Sequence, residues 1–224
     1  MGTLINMAAV AAGSLLGLAV RGRLPERMSQ TIIQGVGLVT ILLGLQMAGK
    51  AGNVLLVMFS LAIGGALGEW LNLEAKLEQV GRRLQERFGQ GGSSFTQGFV
   101  ASSLLFCVGP MAIIGSLQDG LNGNYQILMN KSVLDGVSSI ALSASLGYGV
   151  AFSTLSILVY QGGITLLAGF LKPLLTEVAV QELTATGGLL ILAIGLNLVG
   201  AARLRVANLL PALVAVLALL SLWP

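Results

Sequence analysis

The sequence predicts an all-α polytopic membrane protein of about eight transmembrane helices, in which the first three and last three spans form an inverted repeat around a broken-helix middle. Three observations predict this. First, 55% of the 224 residues are hydrophobic and only 9% charged, against about 25% charged in soluble domains. Second, the apolar residues fall into blocks near the roughly 20 residues that a helix needs to cross a bilayer. Third, two glycine-punctuated segments, 37–49 and 188–200, resemble each other. Helices are favoured because lipid offers the backbone no hydrogen-bond partner. The alternating ten-residue strands of a membrane barrel are absent.

Spans are expected near 3–20, 31–48, 53–71, 95–117, 127–149, 152–171, 180–201 and 207–223. The first is followed by Arg21, Arg23 and Arg27 and preceded by almost nothing. A cleaved signal peptide has the opposite polarity. The positive-inside rule then places the N-terminus outside and the 21–30 loop inside. Eight spans put nine of the twelve Lys and Arg on that inner side, with Lys50, Lys131 and Lys172 opposite, and both termini outside. Seven spans with a re-entrant fourth segment divide the charges equally well, but place Arg203 and Arg205 outside.

The third span ends before NLEAKLEQVGRRLQERFGQ, residues 72–90. There Leu73, Leu77, Val80, Leu84 and Phe88 form one stripe at helical spacing. Glu78 and Arg82 are a favourable pair four apart. This reads as a cytoplasmic amphipathic helix on the membrane or on the protein itself, and as a dimerising surface in the alternative. Gly91-Gly92-Ser93-Ser94 is then a joint. The single transmembrane domain 1–224 divides into a first repeat 1–71, this helix and linker 72–94, a central unit 95–151 and a second repeat 152–224. The fourth span contains Gly109-Pro110. Proline removes a helical hydrogen bond, so the segment is kinked, broken or re-entrant.

The repeat aligns GLVTILLGLQMAG with GLLILAIGLNLVG. Gly37, Gly44 and Gly49 match Gly188, Gly195 and Gly200, and Gln46 faces Asn197. After a short indel, Asn53 opens the third span as Asn208 opens the eighth. An offset of five spans inverts the copies in the membrane. Inverted repeats are frequent in secondary transporters, although fold duplication alone says nothing of transport.

Candidate chemistry concentrates in the middle. Lys131, Asp135, Ser139 and Ser143 recur every four residues, one face of the fifth span. Charge at membrane depth costs at least about 2.5–3.5 kcal/mol on insertion scales, so it normally faces a cavity or a partner. The stripe lines a solute or ion path, or else is an interfacial ion pair followed by small packing residues. Gln118 and Asp119 form a path mouth or an outer turn. Gly109 and Pro110 free backbone groups at depth, or merely kink the chain. Gln161, in Tyr160-Gln161-Gly162-Gly163, is a ligand or an interhelical bond. Asn6, Gln46 and Asn197 are secondary candidates. Gly13 with Gly17 and Gly64 with Gly68 mark tight helix contacts, within or between subunits.

There is no histidine and one cysteine, Cys107. That excludes a Ser–His dyad, a His/Cys metal centre and an internal disulfide. No H-E-x-x-H, G-x-S-x-G or P-loop occurs. No enzyme activity, cofactor, metal or nucleic-acid partner is expected.

FCVGPMAIIGSLQDG, then KSVLDG and VYQGGITLLAG, together with the opening MGTLINMAAVAAGSLLG, resemble the bacterial YqgA/YdfK-like integral membrane proteins along essentially the whole chain. The resemblance implies a multi-span bacterial inner-membrane protein of a family of unknown function. It carries over no substrate and no site residue. The expected function is transport of a small polar solute, such as an amino acid, by alternating access at the repeat interface. The alternatives are an oligomeric ion channel or hard-cation transporter, and a structural or regulatory subunit acting through 72–90. The expected partners are the bilayer, the solute or ion, and a second copy in a homodimer.

Overall fold

The computed structural model describes residues 1–21, 26–88 and 94–222. Among them every regular element is helical. The helices are α1 (Gly2–Arg21), α2 (Glu26–Ala48), α3 (Val54–Leu71), α4 (Leu73–Phe88), α5 (Ser94–Cys107), α6 (Pro110–Asn122), α7 (Gln126–Leu146), α8 (Tyr148–Leu166), α9 (Ala168–Leu171), α10 (Glu177–Leu198) and α11 (Ala212–Leu222). A 3-10 turn, Val206–Leu209, precedes α11. The expected 72–90 helix is α4. Of the expected joint, residues 91–93 lie outside the described residues, and Ser94 opens α5.

Among the described residues five helices are long and apolar enough to cross a membrane: α1, the Gln30–Ala48 part of α2, α3, α8 and α10. The pair α5 and α6, bent by 60° at the Gly109-Pro110 break, makes a sixth when counted as one span. The segment from Val206 to Leu222 is shorter. The 21-residue α7 carries Asn130, Lys131, Asp135 and five serines and falls outside this set. Large apolar side chains on these helices point outward, among them Leu15, Leu42, Val137, Val159 and Leu166, as expected of helices solvated by lipid.

The chain clusters into two compact units, residues 1–36 with 80–172, and residues 37–79 with 173–224. The division differs from the expected cuts near 71 and 152: the first and sixth spans pack with the central segment.

In the first unit α1 and α7 run parallel and touch along their length. A Cβ on Gly2 would come 2.6 Å from Leu128 Cβ, one on Gly13 would collide with the Gly136 carbonyl and the Ser139 hydroxyl, and one on Gly17 with the Ile140 carbonyl. These glycines therefore serve a contact inside the chain, by letting two backbones approach. The same register fixes the course of the broken pair. α5 starts where Phe95 meets Gly149, next to Gly147, over which the Arg21 guanidinium at the end of α1 lies. α6 finishes where Asp119 meets Gly2 at the beginning of α1. A re-entrant pair would return to the end it left. This pair travels from one end of α1 to the other. Gly109 is extended (φ −174°, ψ 152°) and Pro110 takes the first helical position of α6, where its missing N–H breaks no helical bond.

In the second unit α2 and α10 cross antiparallel through glycines. A Cβ on Gly44 would come 2.8 Å from the Gly188 carbonyl oxygen, and one on Gly195 would come 2.9 Å from the Gly37 carbonyl oxygen. α3 packs in the same manner on α11, with Gly64 against Ala212, and on the 3-10 turn before it, with Gly68 against Asn208. Asn53 caps α3 by accepting from the Leu55 and Leu56 N–H groups at 3.1 and 3.2 Å.

Candidate functional site

The first unit holds a buried polar cluster in which three helices each contribute charged or amide side chains. α7 supplies Lys131 and Asp135, whose side chains form an ion pair one turn apart. α1 supplies Asn6, whose Nδ2 donates to Asp135 Oδ2 at 3.0 Å and to Gln161 Oε1 at 3.2 Å. α8 supplies Gln161. From α5, the Phe106 ring lies beneath Lys131, with the ammonium 5.9 Å from its centroid, inside the reach of a cation–π contact. Lys131 and Asp135 are 5% and 7% exposed, and Asn6, Gln161 and Phe106 are fully buried.

Local sequence explains the convergence. Lys131 and Asp135 share a face of α7 through four-residue spacing. Asn6 falls on the face of α1 defined by Thr3, Val10, Gly13 and Gly17, and those glycines bring that face against α7. At about 1.5 Å per residue, Asn6 sits about 6 Å from the start of α1 and Asp135 about 14 Å from the start of α7. The cluster is thus below the end of the unit and well inside the helices.

Two hydrogen-bonding groups in this cluster are unused. Asn6 Oδ1, an acceptor, and Gln161 Nε2, a donor, are buried and without partner. Thr3 Oγ1, Ser116 Oγ and Ser143 Oγ share that state. A buried polar group without a partner costs about 1–3 kcal/mol, and most native ones are satisfied by protein or water. A cluster with both charge signs and an unused donor and acceptor has the composition of a small polar binding site.

The other predicted residues distribute as follows. Ser139 and Ser143 are buried on the stripe, Ser139 spending its hydroxyl on the Gly136 carbonyl at 2.7 Å. Asp119 ties down the beginning of α1, accepting from the Gly2 N–H at 2.9 Å and the Met1 amine at 3.0 Å. Gln118 is half-buried one residue earlier, and its carbonyl accepts from the Asn124 N–H. Gly109 and Pro110 form the break three and four residues beyond Phe106, and a Cβ on Gly109 would meet nothing within 4 Å. Gln46 is exposed. Asn197 closes the turn after α10, bonding both the N–H and the carbonyl of Leu204 at 2.8 Å. Neither belongs to the cluster. The polar cluster lies in the first unit and the similar segments 37–49 and 188–200 in the second; within the cluster Asn6 belongs to the expected first repeat, 1–71, and Gln161 to the expected second, 152–224.

Sequence reading missed Phe106, which aromatic content alone does not single out, and Glu182. The latter is 2% exposed on α10. Its Oε1 accepts from the Gly52 and Asn53 N–H groups, each at 2.9 Å, whereas its Oε2 is without partner. As an acid inside a predicted span it was open to the same test as Asp135. Among the described residues no group of three or more His, Cys, Asp or Glu side chains is placed to hold a metal ion.

A family model described as "Protein of unknown function (DUF554)" matches residues 1–221. An uncharacterized membrane protein of Bacillus subtilis (strain 168), YdfK, is 32% identical over 216 residues, covering 95% of this chain and 92% of that protein. An uncharacterized protein of Escherichia coli (strain K12), YqgA, is 31% identical over 228 residues, covering 100% of this chain and 97% of that one. No solved structure matches.

Proposed function

The chain belongs to the DUF554 family of proteins of unknown function, a family of membrane proteins with several apolar helices in this member, and we propose that it is a carrier of small zwitterionic solutes such as amino acids. The observation that carries the proposal is the unused pair, Asn6 Oδ1 and Gln161 Nε2, beside the buried Lys131–Asp135 ion pair. A zwitterion presents an ammonium and a carboxylate on neighbouring atoms. Its ammonium is complementary to Asp135 and Asn6 Oδ1, and its carboxylate to Lys131 and Gln161 Nε2. In the absence of solute the two protein charges neutralise each other. Solute exchanges that internal pair for two external ones, so neither state leaves a bare charge at depth.

Alternating access needs a part that moves. The α5–α6 break supplies it, with Gly109 free of side-chain contact and Phe106 seated on Lys131 at its edge. Eight spans with both termini outside are part of the proposal. α7 lies alongside α1 throughout, which supports counting it as a span despite its polarity. The inverted repeat is supported by the crossing of α2 and α10. Exchanging 37–49 with 188–200 converts the contact of Gly44 with Gly188 into that of Gly195 with Gly37, as a local twofold axis requires. A bacterial inner-membrane location and a homodimer complete the reading. A molecular mass measured in detergent tests the dimer.

The function is tested by a thermal-shift screen of the detergent-solubilised protein against amino acids, organic anions and metal ions, followed by uptake into proteoliposomes. A ligand of the folded state raises its apparent stability. The expected result is stabilisation by zwitterions, and uptake lost in Asp135→Asn and Gln161→Ala. Unchanged uptake in both variants overturns the proposal.

A further inference from the structure

The second unit contains a buried acid that the solute site does not use. Glu182 stands early in α10, facing the turn that links α2 to α3. Its Oε1 takes the two N–H groups of Gly52 and Asn53, and the neighbouring Gln181 fastens the same turn by donating to the Lys50 carbonyl at 2.8 Å. This half of the carboxylate is fully accounted for. The other half is not: Oε2 is buried and has no partner. One helical turn further along, on the same face of α10, Thr186 is fully buried and its Oγ1 has no partner either. Among the described residues no Lys or Arg forms an ion pair with Glu182.

An ionised carboxylate has only acceptor positions, and a hydroxyl oxygen carries two lone pairs. The Thr186 hydroxyl also carries a proton, which it can turn toward the carbonyl one helical turn back, leaving its lone pairs and those of Glu182 Oε2 on one face, open to a positive centre. The C-terminal end of α2 passes at the same level of α10. A Cβ on Gly188, two residues beyond Thr186, would come 2.7 Å from Met47 Cβ, so the last turn of α2, the negative end of its dipole, reaches this part of α10. Carbonyl-bearing helix ends and oxygen side chains are the ligands that hold small cations inside membrane proteins. One carboxylate with neutral oxygens balances a single positive charge.

We propose that Glu182 and Thr186 bind one alkali cation, of the sodium or potassium class, at the α2 end of α10. The site is independent of the solute reading: its test uses no solute, so either can fail alone.

The test is thermal unfolding of the full-length protein in detergent, titrated with NaCl or KCl while choline chloride holds ionic strength constant. Sodium or potassium at about a hundred times its dissociation constant raises the midpoint by roughly 5–10 °C. Glu182→Gln keeps an oxygen for Gly52 and Asn53 but abolishes the rise. Thr186→Val leaves the carboxylate and its two bonds intact. It is at least as stable as the parent without alkali ion, since the lost hydroxyl had no partner, and it needs at least tenfold more ion for half the rise. The Thr186→Val titration decides the matter by itself should Glu182→Gln fail to fold. A midpoint indifferent to both ions, or one that follows pH alone, overturns the assignment. So does a Thr186→Val protein that responds as the parent does.

Discussion

Asp135→Asn removes the counter-charge of Lys131 while keeping the shape of the side chain and an oxygen for Asn6. The ammonium then remains at 5% exposure without a counter-charge, held by a neutral amide oxygen and the Phe106 ring 5.9 Å away. A cation–π contact of this kind contributes about 0.5–2 kcal/mol, whereas stranding one member of a buried pair costs about 3–5 kcal/mol. The loss therefore dominates. It corresponds to a fall of roughly 6–20 °C in the unfolding midpoint of a chain this size. Lys131→Met strands Asp135 instead, but Asn6 still donates to it at 3.0 Å, so its cost falls at the lower end. The double variant Lys131→Met with Asp135→Asn strands neither charge and returns to within about 1 kcal/mol of the parent, because neutral replacement of a buried pair is often tolerated. Thermal unfolding in one detergent compares all four proteins. A single Asp135→Asn within about 1 kcal/mol of the parent, or a double variant no more stable than that single, refutes the view of a mutually neutralised buried pair.

Gly44→Ala drives a methyl group to 2.5 Å from the Leu192 amide nitrogen and costs about 1–3 kcal/mol. Gly163→Ala meets nothing within 4 Å and gains about 0.5–1 kcal/mol from helix propensity. Unfolding midpoints check both signs. Asn53→Ala loses the cap of α3 and about 0.5–2 kcal/mol, and Asn53→Asp keeps most of it. At the α3–α4 junction, burial pushes the Glu74 carboxyl above its ordinary value, opposed by the N–H of Ala207. The fold thus favours the protonated form. The stability this adds is full below the ordinary value and lost as pH rises through the raised one. Glu74→Gln, which retains an acceptor for Ala207, flattens that part of the pH–stability curve measured between pH 4 and about 7.

Five of the expected spans were legible because lipid imposes a length and an apolar composition on them, whereas the polar α7 and the short α11 do not carry that signature. The break was legible because Pro110 cannot continue a helix. The stripe through Lys131, Asp135, Ser139 and Ser143 follows from a four-residue period, and all four are buried. What periodicity cannot carry is pairing between helices. That Asn6 reaches both Asp135 and Gln161 depends on the parallel register of α1 and α7, set by the bare backbones of Gly13 and Gly17. The same glycine pattern was compatible with contacts between subunits, and only the fold places it within the chain. Asp119 illustrates the reverse. Its flanking Gly and Asn residues read as a turn, whereas its carboxylate is spent on the first residues of α1. Glu182 stands between Gln181 and Thr184 near the start of the expected 180–201 span, where no helical period singles it out. The turn that satisfies half of it comes from residues 52 and 53, about 130 positions away.

In the proposed carrier the charges of Lys131 and Asp135 serve the solute, beyond their effect on folding. The double variant Lys131→Met with Asp135→Asn separates the two, because its stability is restored while its charges are absent. Uptake of a panel of radiolabelled neutral amino acids into proteoliposomes should show accumulation with the parent protein and none above empty vesicles with the folded double variant. Accumulation at the parent rate by that variant would contradict the account.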